Sequence, residues 1–348
     1  MKKNNKIYFD EKFLDFEKKE YSKKSWFIAG HKCEFEKIFD FKTFQIFGEP
    51  IVIYNFEKGI KAFSNVCLHR GSIIKNKKSG NEKFNCPYHF WSYDDDGKVK
   101  NIPLKNLCFE NEKSISKLSL KKWKIDLCGN FIFITSAQNK TKLKSFLGKD
   151  FNKLKNISFK IRKKINSSSW VWNSNWKLCV ENSIDEYHAI FVHQTTFKHI
   201  LNQKPKYQYS KNVMSMEMPL RENYVKKFKK FSKNFGDKYN HILIFPLSTI
   251  ASTMEHSFYL QRYTPLSINK TLITSDIYLA NFSEKVSSST LDFFSSMSKK
   301  FNDTVFEEDK IICENNHLGI KALSSEAIIG NYEERIKHFR KKILEIKR

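Results

Sequence analysis

Two short loops that each contain one cysteine and one histidine constrain this 348-residue chain more than any other feature. The first loop has the spacing C-x-H, at Cys67 and His69, and the second has the spacing C-x-x-H, at Cys86 and His89. The whole chain contains seven cysteines and ten histidines. Chance alone would therefore produce this arrangement only about 6 × 10⁻⁴ times in a chain of this composition. A metal site is expected in the N-terminal part of the chain.

The way in which the two loops divide their ligands indicates the kind of metal. Zinc fingers usually pair cysteine with cysteine and histidine with histidine along the chain, whereas here each loop supplies one of each. Two such loops can give one iron of a [2Fe-2S] cluster two sulfur ligands and the other iron two nitrogen ligands. We therefore predict that Cys67, His69, Cys86 and His89 bind a [2Fe-2S] cluster. A structural zinc site is the alternative.

A second group of metal-binding residue types lies further along the chain, at Asp185, His188 and His193. On a regular helix the two histidines would point about 140° apart, so they could not both reach one ion. Their spacing requires either a locally widened turn or a helix end between them. A mononuclear Fe(II) oxygenase site usually needs two histidines and one carboxylate, with other positions left open. The carboxylate is therefore expected downstream.

The carboxylate can be located from the pattern of a C-terminal helix. Its apolar residues recur at i, i+4 spacing, at Met297, Phe301 and Val305. The next member of this row is Asp309, and a carboxylate on a buried row is costly unless it is paired or binds metal. We predict that His188, His193 and Asp309 bind a mononuclear iron. A one-residue error in the helix phase would make Glu308 the ligand instead.

The remaining sequence predicts two domains. Short runs of β-forming residues separated by turns predict a small all-β unit, with strands near residues 25–29, 49–54, 60–63, 84–86, 91–93 and 131–134. Segment 138–169 carries ten basic residues and one acid, and we place the domain boundary there. The expected domains are 1–150, with a polar leader up to residue 21 and a core over 26–136, and 151–348. In the second domain we expect helices over 176–192, 287–314 and 332–346, with strands near 242–245, 257–263 and 271–278.

Several motifs together resemble the Rieske non-heme iron oxygenases, in the branch of the ring-hydroxylating terminal oxygenases. The motifs are Asn65–Gly71, Cys86–Tyr93 with Asp96-Gly97, Asn175-Trp176-Lys177, Glu181-Asn182, the acid three residues before His188, and the late Glu-Glu-Asp. The resemblance spans nearly the whole chain. One position departs from it, because the residue after the second cluster histidine is usually glycine in the family and is Phe90 here. A bulky ring at this position could alter the packing or solvent access of the cluster.

The resemblance implies an α+β protein, in which an all-β Rieske domain precedes a helix-grip-like catalytic domain with an antiparallel sheet and flanking helices. It implies a terminal oxygenase that uses O₂ to mono-oxygenate or oxidatively demethylate a small organic molecule, with cis-dihydroxylation of an aromatic ring as the alternative. It also implies a homotrimer. In that assembly Asp185 is not an iron ligand but a bridge that links His188 with a cluster histidine, His89, of the adjacent subunit. Phe191, Val192 and the strands within 242–263 are the expected lining of the substrate pocket.

Composition adds expectations about partners. The formal charge of +25 is scattered and comes mostly from lysine, without a recognisable nucleic-acid module, so we expect no nucleic-acid partner but a field that favours an acidic protein. Glycines are never closer than the nine positions between Gly71 and Gly80, which excludes a built-in Rossmann fingerprint. Electrons from NAD(P)H are therefore expected through a separate reductase, with or without a ferredoxin.

Composition also bears on location and on competing functions. An odd, sparse set of cysteines indicates a reducing compartment, and no apolar run approaches the ~18 residues of a membrane span. A cytoplasmic protein without membrane contact is expected. A competing function of another class is an electron-transfer Rieske protein without oxygenase activity, and a zinc-binding interaction module is a third hypothesis.

Overall fold

A computed structural model describes residues 5–110, 113–202, 205–232, 234–282 and 286–346. The described residues form two compact units. The small unit comprises Ser22–Leu143, and the large unit comprises the described residues of 1–21 and 144–348. The division after Leu143 lies close to the expected boundary at residue 150. Residues 5–21, which we expected to belong with the first domain, belong to the large unit.

The first helix, α1 (Glu11–Lys24), shows why the N-terminal segment belongs to the large unit. Its buried side chains recur on one face, at Phe13, Leu14, Glu17 and Tyr21. The Glu17 carboxylate lies 2.8 Å from the Lys177 ammonium, and both side chains are completely buried. Removing either partner would leave an uncompensated buried charge, which is strongly destabilising. The segment is therefore part of the core of the large unit and not the polar leader that its composition indicated.

The small unit is built on antiparallel strands. The strands are β1 (Phe27–His31), β2 (Asp40–Ile46), β3 (Glu49–Phe56), β4 (Gly59–Ser64), β5 (Ser79–Asn81), β6 (Ser92–Tyr93), β7 (Val99–Asn101), β8 (Lys122–Cys128) and β9 (Phe131–Ser136). Seven of them form one sheet in the order β1-β9-β8-β4-β3-β2-β5, and β6 pairs with β7. A short helix, α2 (Lys105–Cys108), lies between β7 and β8. The core is rich in stacked and edge-on aromatic rings, including those of Tyr54, Phe56, Phe63 and Phe84.

The large unit contains a second seven-stranded antiparallel sheet. Its strands are β10 (Ile161–Trp172), β11 (Lys206–Tyr209), β12 (Val213–Pro219), β13 (Lys238–Ile244), β14 (Ser248–Thr253), β15 (Ser257–Ser267) and β16 (Lys270–Ala280). They lie in the order β10-β16-β15-β14-β13-β12-β11. The flanking helices are α3 (Leu143–Leu147), α4 (Phe151–Lys160), α5 (Trp176–Ser183), α6 (Ala189–Val192), α7 (Phe197–Ile200), α8 (Glu222–Lys229), α9 (Ser288–Ala322) and α10 (Glu334–Glu345). This is the predicted α+β architecture.

Helix α9 packs across strands β10, β15 and β16 with one continuous buried face. The members of this face are Phe294, Ser298, Asn302, Phe306, Asp309, Cys313, His317 and Ile320. The expected apolar row at residues 297, 301 and 305 is only partly buried and flanks this face. The polar members tolerate burial because they are hydrogen-bonded: Ser298 Oγ lies 2.5 Å from Ser257 Oγ, and Asn302 Oδ1 accepts from Ser275 at 2.7 Å. Asp309 belongs to the buried face, as the sequence predicted.

The expected continuous helix over residues 176–192 is interrupted. Helix α5 begins at the Asn175 cap, whose side chain accepts from the Lys177 amide at 3.0 Å, and it ends at Ser183. Asp185 Oδ1 then accepts from the amide of Tyr187 at 2.8 Å. Such local side-chain bonds compete with helical backbone bonds. The chain resumes a helix only at Ala189, and this short helix ends at Val192, so a helix end lies between His188 and His193. None of the helices within the described ranges is both long enough and apolar enough to cross a membrane.

Candidate metal centres

The two cysteine-histidine loops of the small unit close in the same way. The Gly71 amide donates to the Cys67 carbonyl at 3.0 Å, and the Phe90 amide donates to the Cys86 carbonyl at 3.1 Å. Gly71 and Phe90 thus occupy equivalent positions, four residues after each cysteine. Both have positive φ, 72° and 56° respectively. Glycine adopts this conformation without steric cost, whereas phenylalanine does not. The turn geometry gives a physical reason for the glycine that Phe90 replaces.

The loops bring their two histidines close to each other and their two cysteines close to each other. The rings of His69 and His89 lie 4.6 Å apart, and Cys67 and Cys86 are both buried. The pKa of the Cys67 thiol is raised by burial, although the Tyr93 hydroxyl, 3.1 Å from Cys67 Sγ, opposes this. A thiol in such a place becomes a thiolate readily only when a metal binds it.

The surroundings of His69 indicate that this histidine is prepared for a metal. Its ring stacks on Trp91 at 4.8 Å with an angle of 5° between the planes. Its Nδ1 atom is buried and has no hydrogen-bond partner within the part of the chain that the structure describes. A buried ring nitrogen without a partner is costly, and an iron ligand bond would satisfy it. The residues present therefore fit a [2Fe-2S] cluster, and their assignment as its ligands stays a prediction.

The large unit brings His188, His193 and Asp309 together. His188 immediately precedes the short helix α6, and His193 immediately follows it, so the helix end directs both imidazoles to the same side. Their Nε2 atoms lie 3.3 Å apart. Asp309 Oδ1 lies 3.4 Å from Nε2 of His188 and 3.2 Å from Nε2 of His193. Three potential ligand atoms thus converge on one point, as a facial two-histidine, one-carboxylate site requires.

The electrostatics of these three residues also fit a cation. Asp309 Oδ1 is buried and has no hydrogen-bond partner among the described residues. Burial would raise the pKa of Asp309, but the adjacent imidazoles lower it overall. Burial would likewise lower the pKa of His188, but the carboxylates of Asp185 and Asp309 raise it to about 10. The protein without metal therefore holds a proton where a divalent cation would otherwise sit.

Each of the two histidines has a carboxylate behind it. Asp185 Oδ2 lies 3.1 Å from His188 Nδ1, which is an ion-pair distance without hydrogen-bond alignment. Glu308 Oε2 lies 2.7 Å from His193 Nδ1 and accepts a hydrogen bond from it. Glu308, which we considered as the alternative ligand, thus contacts the opposite edge of the histidine ring. The sequence shows the consecutive acids Glu308 and Asp309. Which of them faces the metal position and which contacts His193 Nδ1 depends on where the fold places His193.

Two family models match the chain. One is described as a Rieske [2Fe-2S] domain and matches residues 25–116, and the other is described as the ring hydroxylating alpha subunit catalytic domain and matches residues 158–347. The chain belongs to the ring-hydroxylating alpha subunit family. Membership implies a [2Fe-2S] cluster and a mononuclear iron, and both donor sets described above fit these groups.

Sequence relatives of this alpha subunit act on different substrates. The chain is 29% identical over 197 residues to a glycine betaine monooxygenase oxygenase subunit of Pseudomonas aeruginosa, a match that covers 56% of this chain and 45% of that protein. It is 30% identical over 196 residues to a benzene 1,2-dioxygenase subunit alpha of Pseudomonas putida, which covers 53% and 42%. The matches thus span about half the length of these relatives.

Solved structures of Rieske oxygenases share the fold. The quaternary ammonium Rieske monooxygenase CntA in complex with L-carnitine superposes with a TM-score of 0.81 at 20% identity, over 99% of this chain and 95% of that chain. The naphthalene 1,2-dioxygenase of Rhodococcus sp. bound to indole gives a TM-score of 0.73 at 19% identity, over 91% and 82%. At these identities the likeness concerns the fold alone.

A pocket in the large unit of this alpha subunit opens onto the candidate iron ligands. It lies between the sheet and α9, and its lining includes Phe197, Leu201, Met216, Tyr239, Tyr259, Gln261, Tyr263, Phe301 and Val305. The expectation that strands within 242–263 contribute to the lining holds for Tyr259, Gln261 and Tyr263. Phe191 and Val192 were expected to line the pocket but do not, because the turn of α6 directs Phe191 outward, where it is exposed.

Proposed function

We propose that this chain is the terminal oxygenase of a multicomponent Rieske non-heme iron system, which mono-oxygenates or oxidatively demethylates a small organic molecule. The observation that carries this proposal is the presence of two complete donor sets in one chain, each with an unsatisfied buried atom, His69 Nδ1 and Asp309 Oδ1. When bound, the cluster supplies electrons one at a time and the ferrous ion supplies the place where O₂ is activated.

The residues around the second donor set have separate tasks in this proposal. With a metal bound, His188 and His193 would each coordinate through an unprotonated Nε2 atom, and Asp309 would offset part of the charge of the cation. The rings of Phe197 and Phe301, 5.1 Å apart, form part of an apolar wall beside His193. This wall would hold the apolar body of a substrate and exclude water from the reacting atoms.

Electrons reach the chain from outside in this proposal. A separate reductase, with or without a ferredoxin, takes them from NAD(P)H, and the net charge of +25 favours the approach of an acidic partner. Neither a membrane nor a nucleic acid takes part. We place the protein in the cytoplasm, where free cysteines persist. Purified chain with NAD(P)H alone should not turn over, and turnover under these conditions would contradict the need for a reductase.

We further propose a homotrimer in which Asp185 bridges the two kinds of centre between subunits. Asp185 lies beside His188 and keeps 17% of its side chain exposed, while His89 is exposed in the small unit. A carboxylate that stays partly accessible can accept a hydrogen bond from a protonated ring nitrogen of the partner subunit's His89. The bridge would connect the cluster of one subunit with the mononuclear site of the next.

The substitution Asp185→Asn tests the bridge. We expect both metals to remain bound and electron passage from the reduced cluster to the mononuclear site to slow by more than about tenfold, since an amide cannot replace the charge-assisted bonds. Cluster reoxidation after mixing with O₂ and substrate is the measurement, followed by visible absorbance. Asp292→Asn, which changes an exposed acid on α9, is the matched control. Unchanged reoxidation in Asp185→Asn would refute the bridge.

Three alternatives are separated by direct measurements. Cis-dihydroxylation, the alternative supported by the benzene dioxygenase relative, places two labelled oxygen atoms in the product from ¹⁸O₂, whereas mono-oxygenation places one. An electron carrier without oxygenase activity would hold only the cluster iron, about two atoms per chain, whereas the oxygenase holds about three. A zinc-binding module would be colourless.

The proposed function itself is tested by O₂ consumption. The metal-loaded protein is mixed with a surrogate reductase, and small molecules are screened for those that increase the rate of O₂ consumption.

A further inference from the structure

The charge of the pocket beside the candidate iron site limits which substrates can bind there. None of the described residues that line this pocket is a lysine or an arginine. Apart from His188 and His193, which face the metal position, its ionisable lining side chains are acids, Asp185, Glu186 and Asp309, together with His241. A carboxylate or sulfonate group enters a buried site favourably only where a cation or several donors compensate the loss of water. Once a metal has displaced the proton of His188, the described lining offers no side-chain cation for this purpose.

Arg335 is a cation that reaches the lining through hydrogen bonds, and its terminal nitrogens already bind protein groups. The Arg335 side chain is fully buried behind the pocket wall, and it donates to Glu186 Oε1 at 2.5 Å. Its second terminal nitrogen donates to His241 Nδ1 at 2.9 Å. The Glu186 carboxylate, itself a lining residue, thus pairs with this guanidinium.

The histidine between Arg335 and the pocket is also uncharged. Burial, together with the charge of Arg335, holds the pKa of His241 well below its usual range. Because Arg335 can only donate, His241 Nδ1 accepts, and the ring proton must be on Nε2. That proton points at Ser183 Oγ, 3.2 Å away, which lines the pocket. At this point the network therefore presents the neutral Ser183 hydroxyl to the pocket, and not a positive charge.

The rest of the wall is built for an apolar body. The rings of Phe197 and Tyr239 lie 5.1 Å apart, and those of Tyr259 and Phe301 lie 6.4 Å apart. Leu201, Met216 and Val305 are further lining residues. Aromatic faces interact favourably with apolar groups and with organic cations, but not with anions.

From these observations we infer that the pocket takes a small substrate without a carboxylate or sulfonate group and discriminates against anionic molecules. The inference rests on the proposed function, because it treats this pocket as the substrate site. It separates this chain from relatives named for anionic molecules, such as 2-aminobenzenesulfonate 2,3-dioxygenase and anthranilate 1,2-dioxygenase. The substrate class is therefore an uncharged or cationic molecule with an apolar body.

Binding to the metal-loaded chain without reductase tests this inference independently of turnover. The probes are matched sets: phenol against benzenesulfonate, and choline and its neutral analogue 3,3-dimethylbutan-1-ol against glycine betaine. Ligand-observed NMR gives the affinities, and sulfonate serves as an anion because it is a weak metal ligand. We expect the anionic or carboxylate-bearing member of each set to bind at least about tenfold more weakly. Equal or tighter binding by that member, or no binding by any uncharged or cationic member, would overturn the inference.

A substitution in the lining sharpens the test. Gln261 is only partly buried, and Gln261→Arg places a guanidinium in the wall. We expect this variant to gain binding of benzenesulfonate by about tenfold, whereas Gln261→Met, of similar size without charge, should not. If Gln261→Arg fails to fold, the wild-type comparison still decides. Failure of the proposed function would appear separately, as absence of substrate-dependent O₂ consumption by the same protein with a reductase.

Discussion

The two candidate metal centres are built from opposite kinds of sequence information. The four predicted cluster ligands lie between residues 67 and 89, on two turns that fix them locally. The three predicted ligands of the mononuclear site lie between residues 188 and 309, and the packing of α9 against the sheet brings them together. One centre therefore depends on turn geometry, and the other depends on long-range packing. Changes at each centre should have different consequences.

The largest expected effect is the loss of one metal while the other stays bound. Asp309→Asn removes the negative charge from the mononuclear site and leaves the small unit unchanged. We expect affinity for the mononuclear iron to fall by more than about 100-fold, because even residues behind metal ligands cost 10- to 100-fold. The mixed-valence EPR signal of the reduced cluster should persist. Cys86→Ser should give the reverse pattern, and loss of both metals from either variant would contradict the independence of the centres.

A smaller effect is expected from the carboxylate behind His193. Glu308→Gln keeps the size of the side chain but weakens the 2.7 Å contact with His193 Nδ1 that orients the ring. We expect affinity for the mononuclear metal to fall by about 10- to 100-fold, measured by titration of the metal-free protein with Co(II). Glu307→Gln, which changes the exposed neighbour on the same helix, should have no effect. Equal metal affinity in Glu308→Gln and Glu307→Gln would show that Glu308 does not position His193.

The sequence carried much of the information about both centres, but in unequal degree. The spacing of Cys67, His69, Cys86 and His89 was sufficient to predict a cluster, because short loops leave few geometries. Asp309 was predicted from helix phase, although the buried face of α9 lies beside the predicted apolar row. The predicted row and the observed buried face differ because Ser298 and Asn302 belong to the buried face. Their hydrogen bonds make the burial of polar side chains possible, and a search for apolar residues does not find them.

Long-range pairing explains what the sequence did not predict. Glu17 looked like one charge in a polar segment, and only its distant partner Lys177 makes it part of a core. The lining contributed by Tyr259 and Tyr263 depends on which face of β15 meets α9, and no local pattern specifies this. The 188–193 segment was partly predictable, since the spacing of the two histidines excluded a regular helix but left two irregularities open, a widened turn or a helix end.

The smallest expected effect concerns the turn at which the small unit departs from its family. Phe90 has a φ of 56°, and a residue other than glycine in this conformation costs about 1–2 kcal/mol. Glycine at this position loses more backbone entropy on folding, by about 0.5–1 kcal/mol. We therefore expect Phe90→Gly to stabilise the small unit by no more than about 1.5 kcal/mol, measured by thermal unfolding of the metal-loaded chain. Leu104, with a φ of 52° in the same unit, provides the matched substitution Leu104→Gly. Similar small gains in both variants would attribute the effect to the backbone, whereas a clear loss in Phe90→Gly alone would mean that the ring beside His89 stabilises the cluster loop by packing.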